Sequence, residues 1–234
     1  MTAAPSLCMA VPSTFTANAR RLGMVSALGA ALVIAAYAGV LVVGVSSLAS
    51  PQQPIGDPLF SILEVLIELL MPLVLALMIS IHAWAPAQAK VFSLMAVVSA
   101  SLLAGITCSV HFTILAVARQ PAFKGTVWMP LLLSFRWPSV SYALDILAWD
   151  VFFALSVLFA APAFTGSRLT AAIRVLLIAS GVLSLAGLSG AIVGDMRLRN
   201  IGVVGYAGVF PVVAVLLALL FHRTDPHVAS PEAS

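Results

Sequence analysis

The sequence predicts an all-α integral membrane protein, a bundle of about six transmembrane helices with short loops. Three observations predict it. Of 234 residues, 62% are hydrophobic and 8% are charged, whereas a soluble domain carries about 25% charged residues. So few charges cannot assemble a water-facing surface. The apolar residues gather into stretches of the length a bilayer core demands, about 20 residues per helix. Little chain is left over, so no soluble domain of ordinary size is attached.

The first span is read at 22–48, after a tail of residues 1–21. Arg20-Arg21 before it and Ser47-Leu48-Ala49 at its end imitate a signal peptide with its cleavage site. Signal cores run only about 7–15 residues, so a retained helix is expected. Pro51, Pro54, Gly56 and Pro58 break the chain before the second span, 59–85, which Pro86 ends. The third span is read at 91–118. The connection from Arg119 to Pro138 interleaves Phe123, Trp128, Phe135 and Trp137 with Lys124 and Arg136. That mixture favours the headgroup layer, and a segment lying on the membrane surface is expected. The fourth span, 139–161, ends at Pro162 and Gly166, and the fifth is read at 169–193. A polar turn of Asp195, Arg197, Arg199 and Asn200 leads to the sixth, 201–221, and residues 222–234 form the C-terminal tail.

The net charge of +3 is scattered over loops, which excludes a nucleic-acid surface. Arg20, Arg21, Lys90, Arg168 and Arg223 fall on the side of the N-terminus, and Arg119, Lys124, Arg136, Arg197 and Arg199 on the other. The tie leaves orientation to the first helix, which has its basic pair before it. Both termini are therefore placed in the cytoplasm, with the bundle in the cell (inner) membrane. Cys8 and Cys108 make neither a disulfide framework nor a zinc spacing. The chain has no phosphate-cradling loop, nucleophile elbow, H-E-x-x-H or haem-attachment motif. A single deep histidine cannot supply a multi-histidine metal or haem set. No cofactor and no metal are expected.

The informative residues are ionisable ones within the spans, because a charge at the bilayer centre costs at least about 2.5–3.5 kcal/mol and normally faces the bundle interior or a wet cavity. They are Glu64 and Glu68 in the second span, Cys108 and His111 in the third, and Asp145 and Asp150 in the fourth. Chain parity puts them in one half of the bilayer. At about 1.5 Å per residue, Glu64 lies roughly 7 Å and Glu68 roughly 13 Å below the surface opposite the N-terminus. His111 lies roughly 10 Å, Asp145 roughly 9 Å, Asp150 roughly 16 Å and Tyr206 roughly 8 Å below it. The other half offers only His82 and Arg174. Glu64 and Glu68 share a helix face at i,i+4, as do Cys108 and His111 at i,i+3. Tyr142, Asp145 and Trp149 share another, and Asp150 points about 140° away from Asp145. Pro72 frees the carbonyl of Glu68 and is expected to kink the second helix. A helix-dipole role accounts equally well for Glu64 and Asp145, but Glu68 and Asp150 lie too deep for it. Trp149 and Tyr142 also suit interfacial anchoring. In the fifth span, Ser180, Ser184, Gly187, Ala191 and Gly194 form a small-residue stripe, a packing face within the bundle or between two copies in a homo-oligomer.

Gly56-Asp57-Pro58-Leu59-Phe60, Ser109-Val110-His111-Phe112, Trp137-Pro138-Ser139-Val140, the run from Asp145 to Asp150, and Gly194-Asp195-Met196-Arg197 with Ile201-Gly202 resemble segments of small bacterial six-helix membrane proteins. The resemblance covers most of the chain beyond the first helix. It implies a polytopic fold and no particular activity.

The function expected from these residues is a polar, acidic cavity in one bilayer half that binds or transforms a lipophilic small molecule. Glu68 and Asp150 would act as acid and base, with His111 tuning them. Tyr142 and Trp149 would stabilise positive charge through their ring faces. Glu64, Asp145, Tyr206 and Arg197 complete the expected ligand-binding set. In residue type alone the set resembles the acidic pockets of membrane isoprenoid cyclases and sterol isomerases. A proton-coupled small transporter or channel subunit is the alternative, weakened by the lack of an inverted repeat. A non-catalytic scaffold is the third reading. Membrane lipids are partners under all three.

Overall fold

A computed structural model describes residues 15–50, 53–123 and 125–226. Cys8, Pro51, Lys124 and the outer parts of both tails lie outside the described residues. Six helices are long and apolar enough to cross a membrane: α1 (Ala17–Ser46), α2 (Leu59–Trp84), α3 (Ala87–Ala116), α4 (Val140–Ala163), α5 (Arg168–Val193) and α6 (Met196–Arg223). Among the described residues there is no strand. The protein is a multi-pass, all-α membrane protein. Apolar side chains such as Val25, Leu32, Val91, Phe112, Val175 and Ile192 point outward, as lipid rather than water requires.

Two helix starts depart most from expectation, each for a capping reason. Helix α1 begins at Ala17 instead of 22, because Thr16 caps it by accepting from the Ala19 amide. Phe15, assigned to the tail by sequence, is fully buried with its ring centroid 5.7 Å from that of Phe221. Arg20 then donates to the carbonyls of Phe221, at 2.9 Å, and of His222. Those end carbonyls have no partner inside α6, so the start of α1 and the end of α6 are tied on one face of the bundle. Helix α6 begins at Met196 instead of 201. Gly194 closes α5 in the left-handed conformation, at φ 78°, and the Asp195 side chain accepts from the Arg197 amide at 3.0 Å. The expected polar turn thus shrinks, and Arg197, Arg199 and Asn200 become the opening turns of α6.

Helix α2 runs through Pro72 as one helix. Helices α4 and α6 each contain a π-helical stretch, Leu147–Phe153 and Val204–Val209. Such wide turns are rare and concentrate at functional sites.

The small-residue stripe of α5 packs inside the bundle, with a shifted register. Ser180, Ser184, Gly187 and Gly190 are buried, whereas Ala191 is half-buried and Gly194 is exposed. The Ser180 hydroxyl donates to the Gly205 carbonyl at 2.9 Å. A Cβ on Gly187 would stand 2.9 Å from the Gly202 Cα. Helix α6 therefore fills this face within the bundle.

From mid-membrane toward the side of the termini the interior is a largely apolar plug. Met71, Val74, Leu77, Met78, Ile81, Phe153, Val157, Phe210, Val213 and Leu217 are all buried there. The opposite half, where α2, α4 and α6 begin, is built differently.

Candidate functional site

Five ionisable residues are buried among the described residues: Glu64 on α2, His111 on α3, Asp145 and Asp150 on α4, and Arg199 on α6. They form one connected cluster. Glu64 Oε2 stands 3.0 Å from His111 Nδ1, and His111 Nε2 stands 3.5 Å from Asp145 Oδ1. Arg199 donates from Nη2 to Asp145 Oδ2 at 2.7 Å and from Nη1 to the Tyr142 hydroxyl at 3.0 Å. Its guanidinium also lies over the Tyr142 ring, 4.7 Å from the centroid. Arg199 Nε is 3.4 Å from Asp150 Oδ2.

Local sequence explains the convergence. Tyr142 and Asp145 are three residues apart and rise on one face of α4. A regular helix would carry Asp150 about 140° away from Asp145. The π-helical stretch that begins at Leu147 widens the turn, so Asp150 swings back toward Arg199. Two glycines then make room for its carboxylate. A Cβ on Gly202 would stand 2.5 Å from Asp150 Oδ1, and one on Gly187 would stand 3.1 Å from it. Asp150 is fully enclosed, and neither of its oxygens has a hydrogen bond. Its nearest counter-charge is Arg199, and a buried carboxylate without hydrogen bonds is costly.

A cavity of about 1030 Å³ lies against this cluster, at the upper end of the roughly 300–1,000 Å³ typical of small-molecule sites. Glu64, His111, Asp145 and Arg199 line one wall, and Ile34, Leu41, Leu63, Ile67, Leu70 and Ile114 supply apolar walls. All three tyrosines of the chain, Tyr37, Tyr142 and Tyr206, line it too. Trp149 and Tyr206 pack at its inner end with ring centroids 5.0 Å apart, backed by Phe153 and Phe210.

The mouth is built from loops on the side opposite the termini. The connection between α3 and α4, expected to lie on the membrane surface, exposes Val127, Trp128 and Leu131. Its inner edge, Leu133 to Arg136, reaches the cavity. Phe135 covers the His111 ring at a centroid distance of 4.9 Å. A second connection crosses from α3 to the start of α2. Arg119 donates to Asp57 at 3.0 Å and to the Ser61 hydroxyl at 2.7 Å, with its guanidinium 5.2 Å from the Phe60 ring centroid. The Ser61 hydroxyl, which donates to Asp57 at 2.6 Å, and the charge of Arg119 hold the Asp57 carboxyl below its ordinary range.

Of the residues singled out by sequence, Glu64, His111, Tyr142, Asp145, Trp149 and Tyr206 meet at the cavity, and Asp150 lies directly behind its wall. Glu68 is separate. It is half-buried beside Cys108, with Oε1 enclosed and lacking a hydrogen bond, and does not line the cavity. Arg197 is exposed, and the central cation is Arg199. The sequence carried a signal for that choice. Residues two apart stand about 200° apart on a helix, so only one of the two arginines can face inward. Arg199 is the one a turn before Gly202, on the close-packed face. Tyr37 and Phe135 are among the other lining residues that sequence reasoning did not select for the site.

Chemically, the arrangement offers a histidine held between two carboxylates beside an apolar chamber. A proton can be carried on the imidazole or on either flanking acid, within reach of a molecule in the cavity. Comparisons of the chain with protein-family models, with curated proteins and with solved structures find no match.

Proposed function

We propose that this membrane protein binds a lipophilic small molecule in the cavity between α1, α2, α3, α4 and α6, with Glu64, His111 and Asp145 giving up or taking up a proton as it binds. One observation carries the reading: every buried ionisable residue among those described belongs to a single cluster, and that cluster lies against the large, mostly apolar-walled cavity. Isolated buried charges are expensive. A scaffold would gain nothing from placing all of them beside a void. A proton path across the membrane is disfavoured by the apolar plug from Met71 to Ile81 and from Val213 to Leu217. On the far side His82 is paired with Ser93 at 2.9 Å and Arg174 is exposed.

The test is ligand-induced stabilisation of the purified protein in detergent, screened with lipophilic compounds. Ile67 lines the cavity and is 7% exposed, so Ile67→Phe should fill part of the chamber. The expected result is a compound that raises the melting temperature of the parent and not of Ile67→Phe, with helical content unchanged. Equal stabilisation of both by every active compound would show binding elsewhere and contradict the proposal.

A further inference from the structure

The buried cluster is not charge-balanced. It holds three carboxylates, Glu64, Asp145 and Asp150, against Arg199 and His111. Even with His111 as an imidazolium, one negative charge is left over. Glu68 faces Cys108 outside the cluster and does not relieve the excess. An uncompensated charge in a low-dielectric interior costs several kcal/mol. Either a proton or a bound cation compensates such an excess.

Two groups point to where a ligand would act. His111 lines the cavity at 5% exposure, and its Nε2 has no hydrogen bond, with Asp145 Oδ1 3.5 Å away. Asp150, at 0% exposure behind the same wall, has no hydrogen bond to either oxygen and only the ion pair with Arg199, at 3.4 Å. Around the chamber stand the rings of Tyr37, Phe135, Tyr142, Trp149 and Tyr206, whose faces attract cations.

We infer that the ligand is a hydrophobic cation, such as a lipophilic amine or a quaternary onium ion, which enters the cavity in exchange for the proton of the buried cluster. The inference rests on the cavity reading above and names its ligand class. The groups facing the cluster are Tyr37 from α1, Glu64 from α2, His111 from α3, and Tyr142, Asp145 and Asp150 from α4, with Arg199 and Tyr206 from α6. None adds a further buried positive charge. At the mouth, Arg119 is neutralised by Asp57, and Arg136 is exposed, where salt screens it. An anion would meet excess negative charge at the inner wall. A neutral molecule would leave the imbalance in place.

Three probes of matched bulk test this by calorimetry on the full chain in detergent: tetraphenylphosphonium, triphenylphosphine oxide and tetraphenylborate. Titrations at about pH 5.5 and about pH 8.5, in buffers of different ionisation enthalpy, count the protons released. The phosphonium should bind at least roughly tenfold more tightly at the higher pH, with about one proton released per molecule at the lower pH and fewer at the higher, as competition for one site requires. The borate should not bind. In Glu64→Gln the carboxylates no longer outnumber the cations, so phosphonium affinity should fall and lose its pH dependence. The parent series alone decides the matter if that variant does not fold. Equal, pH-independent binding of phosphonium and oxide would overturn the cation inference and leave the cavity reading standing. Failure of all three probes to bind would overturn both.

Discussion

The guanidinium of Arg199 donates to the Asp145 carboxylate at 2.7 Å, joining α6 to α4 within the membrane-spanning part of the bundle. Arg199 is also the nearest cation to Asp150, at 3.4 Å. Removing it leaves Asp150 without a counter-charge and Asp145 with His111 alone, at 3.5 Å. Arg199→Met is expected to destabilise the protein by about 3–5 kcal/mol, the usual cost of breaking a buried pair from one side. Adding Asp145→Asn should recover part of that loss, because the orphaned charge disappears with it. Melting temperatures of the two single variants and the double variant check this, and strictly additive losses would contradict the shared network.

Glycine at 202 leaves the space in which the Asp150 carboxylate sits. Gly202→Ala would put a methyl 2.5 Å from Asp150 Oδ1, and overpacking of this kind costs about 1–3 kcal/mol. Gly105 on α3 is the control, since a Cβ there meets nothing within 4 Å. Gly105→Ala should be neutral or stabilising by about 0.5–1 kcal/mol, as expected for alanine replacing glycine within a helix. A denaturant titration of both variants separates the outcomes.

The two glutamates of α2 should behave differently. Glu64 is 3.0 Å from His111 and lines the cavity, whereas Glu68 faces Cys108 outside it. Glu64→Gln should change ligand affinity and its pH dependence. Glu68→Gln should leave both within about twofold of the parent, a difference of about 0.4 kcal/mol. Binding isotherms of the two variants decide, and a larger effect at Glu68 would return it to the site.

At the mouth, Asp57 ties the start of α2 to Arg119 at the end of α3. The folded state depresses its pKa, through the Ser61 hydroxyl first and Arg119 after it. The contribution of Asp57 is therefore present above its unfolded pKa and is lost as pH falls through the lower, folded value. Asp57→Asn should remove this part of the acid-side loss of stability while leaving the neutral-to-alkaline profile parallel to that of the parent. Melting curves from about pH 3 to about pH 8 test it, and identical acid limbs would show that the Asp57–Arg119 pair adds nothing.

Much of this arrangement was legible in the sequence because it follows from hydropathy and parity. Six apolar stretches of spanning length fix the helix count, and an alternating path then forces Glu64, His111 and Asp145 into one bilayer half. The spacing of Tyr142, Asp145 and Trp149 likewise gave their common face. What was not legible depends on departures from a regular helix. The π-helical stretch from Leu147 to Phe153 brings Asp150 to Arg199, where 100° per residue turns it away. The cap at Asp195 starts α6 early enough to carry Arg199 inward and Arg197 outward. Glu68, chosen for its depth, faces another part of the bundle, because depth alone does not say which neighbour a helix face meets. Phe135 sits in a connection whose return to His111 no periodicity encodes.

The central claim is that the chamber beside Glu64, His111 and Asp145 is the binding site. A photoactivatable lipophilic amine, cross-linked to the full-length protein in detergent and mapped by peptide mass spectrometry, tests it most directly. The account predicts adducts on cavity residues such as Tyr37, Ile67, Phe135, Trp149 and Tyr206, suppressed by excess unlabelled amine. Adducts confined to outward-facing residues such as Val25, Leu32 and Phe112, and unaffected by competitor, would contradict it.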